Sequence, residues 1–289
     1  MRFLFIKAER ANHPLASLCR VLNVSRQGFY AWLRRKPCRR LCRDRALSQQ
    51  IRRSFYESER RYGAPRIHRD LQAEGAATSQ KRVARLMREQ GLVARPRRRR
   101  FIRTTDSRHG HPIAPNRLAR NFLPEGPNER WATDITYIPT RQGWIFLAVV
   151  LDLFSRKAVG WSMQPYLDRR LVVAALEMAI KTRRPAPGLI HHSDRGTQYA
   201  CAEYRQVLAD AEMIASMSRK GDCWDNAVVE SFFSTLKQEL VDHRDFATHQ
   251  EAKAAVFAYV EGFYNRRRRH STLGYLSPIE YEEQQTARN

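Results

Sequence analysis

The chain lacks the run of ~18 apolar residues that a membrane helix needs. Its opening residues, MRFLFIKAERANH, reach charge too early for a signal peptide. These two absences predict a soluble, cytoplasmic protein with no membrane partner. Cysteine is scarce: Cys19, Cys38, Cys42, Cys201 and Cys223 are odd in number and scattered. That suits free thiols in a reducing compartment rather than a disulfide framework. Cys38 and Cys42 also lack the second pair of ligands that a zinc site requires. Acid is the other shortage. The 289 residues hold 29 Asp+Glu against 52 Lys+Arg, a formal net charge of +23. Disorder does not follow from that excess, because 43% of the residues are hydrophobic, enough to build cores. The length suits about two domains.

The shortage of acid is local. Residues 1–110 hold 29 basic and 8 acidic residues, a net of +21, whereas residues 111–289 are nearly balanced at +2. Such asymmetry predicts a polyanion-binding half joined to a near-neutral half, with nucleic acid as the partner. An anionic membrane surface would call for a basic amphipathic helix with a continuous apolar face or a lipidation signal, and neither stands out.

In the basic half, PLASLCRVLNV places Leu15, Leu18, Val21 and Leu22 at helical spacing. Ser25 then caps a second helix, SRQGFYAWLRRK, whose Phe29, Trp32 and Leu33 follow the same period. A helix pair with so short a turn has the proportions of a helix-turn-helix, with Arg26, Gln27 and Tyr30 facing bases or phosphates. An ordinary helical hairpin with a basic rim has the same spacing, so spacing alone leaves both open. A second helical unit follows in RALSQQIRRSFYESERRYGAPRIHRDLQAEG and TSQKRVARLMREQGLV. Thr78 or Ser79 is its cap, Gly91 its end, and Lys81, Arg82, Arg85 and Arg88 its basic face. From about 94 to 127 the helical pattern fails. Five prolines and the block Arg97, Arg98, Arg99 and Arg100 predict an extended basic linker that tracks a phosphate backbone. His109 and His111 read as loop histidines, since no cysteine pair follows at finger spacing.

From 131 the period changes. WATDITYIP alternates as a strand, WIFLAVVLDLFS suits a central strand, and AVGWSM is a third. A helix from about Arg169 to Thr182, the strand GLIHHSD, a helix near 198–211, the strand IASM and a long helix from about Trp224 complete an α/β layer with a mixed sheet. The expected organisation is a helix-turn-helix-like segment (1–40), a second helical unit (41–95), a basic linker (96–127) and an α/β core (128–285).

Three acids are poorly placed for mere solubility. Asp134 sits mid-strand, where Asp is disfavoured. Asp194 ends the GLIHHSD strand, at the sheet edge where α/β ligands bind. Glu230 lies on the helix DNAVVESFFSTLKQEL, and Lys237, seven residues on, falls within roughly 20° of it on the same face. Carboxylates brought within ~4 Å repel by about 4 kcal/mol per pair at an effective dielectric of 20. Three converging acids therefore need cations, and oxygen-only ligands select Mg²⁺ or Mn²⁺. Two such ions serve phosphodiester chemistry, while Lys237 and the basic half hold the strands. Unrelated surface or capping acids would have the same spacing, and spacing leaves that open. Among other acids, Asp152 reads as a turn or ion-pair residue, and Asp222 and Asp225 as caps of the long helix. His191 and His192 read as packed strand histidines.

The segments WATDITYIP, LDLFSRKAVGW, IHHSDRGTQY, SMSRKGDCWDNAVVESFFSTLKQE and FYNRRRRHSTLGYLSP closely resemble bacterial insertion-sequence transposases of the IS-three family, second reading frame. The resemblance extends through YGAPRIH and KRVARLM in the basic half, so it spans essentially the whole chain. The family's signature is Asp, Asp, then Glu with 35 residues between the last two. Residues 195 to 229 supply that interval, so the resemblance assigns Asp134, Asp194 and Glu230 as catalytic, metal-holding acids, and matches Lys237 to the family's lysine. Asn226 departs from the wider integrase pattern, which has Arg four residues before the glutamate. The resemblance implies an RNase H-like integrase core that binds two divalent ions and cuts and joins DNA. It implies double-stranded DNA partners, namely the element's terminal inverted repeats and a target. A homo-oligomer on DNA is expected, as is an upstream first-frame protein or a frameshift fusion with it.

After the core, HQEAKAAVFAYVEGFYN is an amphipathic helix leading to Arg266–Arg269 and His270. With the family's closing motif, this run predicts a DNA-facing loop that includes Arg268 and His270. A sequence-specific regulator and a structure-selective nuclease are rival readings. The regulator leaves three spaced acids without purpose, and the nuclease would hydrolyse without joining.

Overall fold

The computed structural model describes residues 1–96, 112–219 and 223–287, leaving aside the side chains of Cys223 and Trp224. The chain opens with α1 (Arg2–Glu9), α2 (Leu15–Val21) and α3 (Arg26–Arg34), then α4 (Arg39–Glu57), α5 (Ala64–Ala73) and α6 (Gln80–Glu89). Ser25 caps α3 by accepting from the Gly28 N–H at 2.9 Å, and Ser79 caps α6 by accepting from the Arg82 N–H at 3.3 Å. Helices α1–α3 close over a small core of Ile6, Leu18, Cys19 and Phe29. Of these elements α1 has no counterpart among the sequence-based expectations. It buries only Ile6, so its pattern carried almost no amphipathic signal.

The second half begins with β1 (Arg130–Thr140), β2 (Gly143–Asp152) and β3 (Ala158–Gln164), followed by α7 (Arg169–Arg183), β4 (Ile190–Ser193), α8 (Thr197–Ala200), α9 (Ala202–Asp210) and β5 (Ile214–Met217). It ends with α10 (Ala227–Glu239), α11 (His249–Phe257) and α12 (Pro278–Thr286). The five strands form one sheet in the order β3-β2-β1-β4-β5, antiparallel across β1, β2 and β3 and parallel across β1, β4 and β5. One face packs on α7 and α9 through Trp131, Val150, Leu171, Leu176 and Tyr204. The other packs on α10 and α11 through Ile138, Leu147, Val149, Phe233, Leu236 and Val256. Gly160 lets β3 meet α7 closely, since a Cβ there would stand 2.2 Å from the Ala175 carbonyl oxygen. The helix expected near 198–211 is split at Cys201, whose extended backbone ends α8 and whose Sγ accepts from the Tyr204 N–H to start α9. Beyond α11 the chain widens into a π-helical turn over Ala258–Tyr264, which buries Tyr259, Val260, Phe263 and Tyr264 together. Among the described residues no helix is long and apolar enough to cross a membrane.

The division of charge does not coincide with a division of the core. Leu47, Ile51, Phe55, Ile67, Leu71, Val83 and Leu86 of the second helical unit belong to the same apolar cluster as Val229, Leu236, Tyr259 and Phe263. Polar contacts reinforce that junction. The Tyr62 hydroxyl donates to the Arg267 carbonyl at 2.9 Å and accepts from the Arg269 N–H at 2.9 Å. Arg61 lies over the Phe263 ring, 4.3 Å from its centroid.

The expected linker is also docked where it is described. Leu118 is fully buried, and the N–H groups of Arg117 and Leu118 both donate to Ser216 Oγ, at 2.9 and 3.1 Å. Asn116 Nδ2 and Arg120 Nε donate to the Asp225 carboxylate at 2.8 and 3.1 Å. Asp225 is therefore no simple helix cap. It is fully buried, and the Arg219 guanidinium and N–H that bond it, with Arg120, hold its carboxyl far below the usual range. Asp152 matches its expected role: it accepts from the Asn128 and Phe154 N–H groups at 2.8 Å and pairs with Arg183 at 3.4 Å. His191 and His192 are buried as expected, bonded to Tyr204 at 2.6 Å and to Ser216 and Ser218 at 2.8 and 3.1 Å. Burial pushes their pKa values down to about 3 and about 4. The block Arg97–Arg100, His109, His111 and Asp222 lie outside the described residues.

Candidate active site

Strand register brings the first two acids together. β1 and β4 pair in parallel with Ala132 opposite His192. Two residues on, the same register sets Asp134 beside Asp194, one position past the end of β4. Each aspartate is pinned by its own backbone. Asp134 Oδ1 accepts from the Ile135 N–H at 2.8 Å, and Asp194 Oδ1 accepts from the Gly196 N–H at 2.9 Å. The turn is tight there, since a Cβ at Gly196 would stand 3.0 Å from both Asp194 Oδ1 and Gln198 Oε1 and one of them would have to shift. The two carboxylates share a cavity of about 140 Å³ whose walls include Ile135, Tyr137, Phe146, Leu167 and Tyr199.

The third acid arrives from across the sheet face. Asn226, buried at the start of α10, donates from Nδ2 to the Thr133 carbonyl oxygen at 3.1 Å. That bond ties the N-terminus of α10 to the strand residue just before Asp134, and Glu230 follows one turn later. Asn226 thus serves the protein interior and offers no face to DNA. Lys237, two turns beyond Glu230, caps the Tyr137 ring with Nζ 4.8 Å from the centroid.

The electrostatics record the convergence. Burial pushes the half-buried Asp134 carboxyl well above the usual carboxylate range, and the charges of Asp194 and Glu230 push it further. Burial also raises Glu230 and lowers Lys237, the latter opposed by Asp242 and Asp134. Tyr199, buried under both aspartates, is raised chiefly by burial and then by their charges. The donor set is all carboxylate oxygen and suits a hard divalent cation. However, among the described residues no group of three or more His, Cys, Asp or Glu side chains stands ready to hold one metal ion together.

The raised Asp134 has a measurable consequence. Between the unfolded value of about 3.9 and its raised folded value, the folded protein binds more protons than the unfolded chain. Stability of the metal-free protein therefore falls as pH rises through that window. Asp134→Asn removes the term. Its Tm without metal should match wild type near pH 4 and exceed it increasingly toward neutrality. Parallel melting curves across that range, measured with chelator present, would contradict the shared-charge account.

The proposed DNA contacts separate into three groups. Arg26, Gln27 and Tyr30 lie on the exposed face of α3, and Lys81 is exposed on α6. Arg82 and Arg85 are half-buried and both grip Asp44, at 2.7 Å from Arg82 Nε and 2.8 Å from Arg85 NH2. The pair lowers the Asp44 carboxyl below its usual range. With Lys81 and with Arg40 and Arg43 of α4, they line an open basic hollow of about 480 Å³. Arg40 and Arg43 are not among the sequence-based DNA contacts, because their only signal in the sequence is a basic run at the start of α4. Arg268 and His270 require correction. Arg268 is 5% exposed and donates from Nε and NH2 to the buried Glu239 carboxylate at 2.8–3.0 Å. His270 is buried edge-on against Tyr264, and burial followed by the Arg268 charge drives its pKa far down. Both belong to the interior.

Comparison with known proteins covers both halves. Residues 42–100 match the family described as HTH-like domain, and residues 124–223 and 212–278 match two families described as Integrase core domain. The chain is 41% identical over 291 residues to "Transposase InsF for insertion sequence IS3A" of Escherichia coli (strain K12), covering 99% of this chain and 100% of that protein. It is 40% identical over 266 residues to an "Insertion element IS600 uncharacterized 31 kDa protein" of Shigella sonnei, covering 92% and 97% of the two chains. Among solved structures, the HTLV-2 integrase catalytic core domain in complex with magnesium aligns at 17% identity and a TM-score of 0.42, over 55% of this chain and 98% of that one.

Proposed function

The chain belongs to the IS3-family insertion-sequence transposases, and from that premise we propose that it binds its element's ends and transfers them by metal-dependent phosphoryl transfer at Asp134, Asp194 and Glu230. The observation that carries the site assignment is the β1–β4 register, which makes neighbours of Asp134 and Asp194 on one sheet edge. Asn226 fastens the N-terminus of the Glu230-bearing helix to the same strand, which supports Glu230 as the third acid.

The chain's own residues divide the work. The three carboxylates would hold two Mg²⁺ or Mn²⁺ ions, which supply a polarised nucleophilic oxygen and neutralise the leaving oxygen. The Ile135 and Gly196 N–H groups each bond one aspartate oxygen and so fix the carboxylates at the cavity they line. Lys237, over the ring of the cavity-lining Tyr137, would serve as a cation for the phosphodiester. Helices α2–α3 and α4–α6, with the segments around 1–40 and 41–95 as units, carry the DNA-holding surface. Arg26, Gln27 and Tyr30 lie on the first, and Lys81, Arg82 and Arg85 on the second. Double-stranded end and target DNA are the substrates, and a homo-oligomer on DNA, with a first-frame protein or a frameshift fusion, is the working assembly.

Duplex DNA carrying the element's ends, incubated with the protein and Mg²⁺, tests the reading. Nicked and joined products should form with the metal and vanish with a chelator, while a bound complex persists in both. Bound DNA without any product would leave a regulator. Hydrolysis without joining, on any duplex, would leave a nuclease.

A further inference from the structure

Beside the two aspartates lies a surface that phosphoryl transfer does not use. Tyr137, Phe146 and Leu167 wall the cavity that contains Asp134 and Asp194, and Thr197 and Gln198 stand at the same cavity. Outward from Tyr137, Trp144 is 48% exposed and meets the Tyr137 ring edge-on at 4.8 Å and 88°. Leu167 and its neighbour Tyr166 are exposed at 42% and 71%. Apolar aromatic surface at the mouth of an acidic site, with a lysine over one of its rings, is costly to leave against water. Register groups these side chains at the end of the hairpin: Tyr137 pairs with Phe146, itself partly buried against the α7 and α9 cluster, and Trp144 pairs with Pro139.

We propose that Tyr137, Phe146 and Trp144 form a stacking notch for one unpaired base, that of the nucleotide adjoining the phosphodiester held at Asp134 and Asp194. The inference rests on the function proposed above and adds a base-binding subsite to it. Three features select a nucleotide as occupant. The rings supply π-faces that accept any base, the mode by which single strands are held without sequence readout. The Lys237 ammonium, 4.8 Å from the Tyr137 centroid, supplies the cation for that nucleotide's phosphate. Gln198 and Thr197 add an amide and a hydroxyl that can bond a base edge. A base in a duplex cannot reach such a notch, so occupation requires that the terminal base pair open.

Joining reactions with pre-cut end DNA test this, using a normal or an abasic nucleotide next to the reacting position. With wild-type protein the abasic substrate should lower kcat/KM by about ten- to a hundredfold, the scale of one lost stacked base. Tyr137→Ala should show a similar loss on the normal substrate and little further loss on the abasic one. Trp144→Ala, at an exposed site where folding is not at stake, should show the same non-additivity to a smaller degree. Tyr137→Phe, which keeps the ring, should restore the preference for a normal base. Additive losses, or Tyr137→Ala joining as wild type does, would overturn the notch while leaving the proposed transposase intact. Wild-type protein inert toward both substrates would overturn both.

Discussion

Asp194→Asn is expected to slow strand cleavage by about a thousandfold or more while binding to the element's ends is retained. The amide keeps an oxygen for the Gly196 N–H, so the turn after β4 should survive. What it removes is charge from the pair of aspartates proposed to hold the metal, so metal is no longer held in the geometry the reaction needs. Loss of one negative charge beside Asp134 also relieves repulsion, and the metal-free variant should melt no lower than wild type. Asp210→Asn, at an exposed α9 residue whose carboxylate bonds only Gln206 among the contacts seen, is the matched control and should cut normally. Cleavage retained by Asp194→Asn would remove the assignment of this residue. Cleavage lost together with binding and thermal stability would point to misfolding instead.

The site was more legible in the sequence than the surfaces around it, for physical reasons. An aspartate in mid-strand and another at a strand's C-terminal end conflict with local propensity, so Asp134 and Asp194 stood out on their own. Their adjacency did not, because it depends on a parallel register between strands sixty positions apart in sequence. Core elements with strong patterns emerged close to their expected bounds: the helix from about Arg169 to Thr182 is α7 (Arg169–Arg183). Arginines were the least legible residues. Arg26 on an open helix face and Arg268 inside a core look alike in one dimension, since a basic run carries no sign of whether an acid waits across the fold. Glu239 was that acid, and it lies 29 positions from Arg268. The same limit hid Asp225, whose partners are the Asn116 amide and the Arg120 and Arg219 guanidinium groups.

The Glu239–Arg268 pair leads to the second large effect, on stability. Glu239 and Arg268 are 4% and 5% exposed. The Glu239 carboxylate accepts from Arg268 and from the Tyr259 hydroxyl at 2.8 Å, and its backbone carbonyl accepts from Arg61 at 3.4 Å and from Arg95. One residue thus joins the end of the acid-bearing α10, the π-helical turn and the second helical unit. Arg268→Leu leaves the buried Glu239 carboxylate with the Tyr259 hydroxyl and the longer Arg66 pair at 3.8 Å, a loss of its main partner that costs up to about 3–5 kcal/mol. In a chain of this size the melting temperature should fall by roughly 6–20 °C. Glu239→Leu combined with Arg268→Leu should recover part of that loss, because the buried carboxylate is then gone, although Arg66 loses its pair at 3.8 Å. The contrast with a DNA-facing arginine is sharp. There Arg268→Leu would leave the melting temperature near wild type and flatten the salt dependence of DNA binding by about one phosphate contact. Because α10 also carries Glu230 and Lys237, partial loosening of this junction should weaken catalysis even at temperatures where the fold survives. Cleavage by Arg268→Leu should therefore fail at a lower temperature than end binding does.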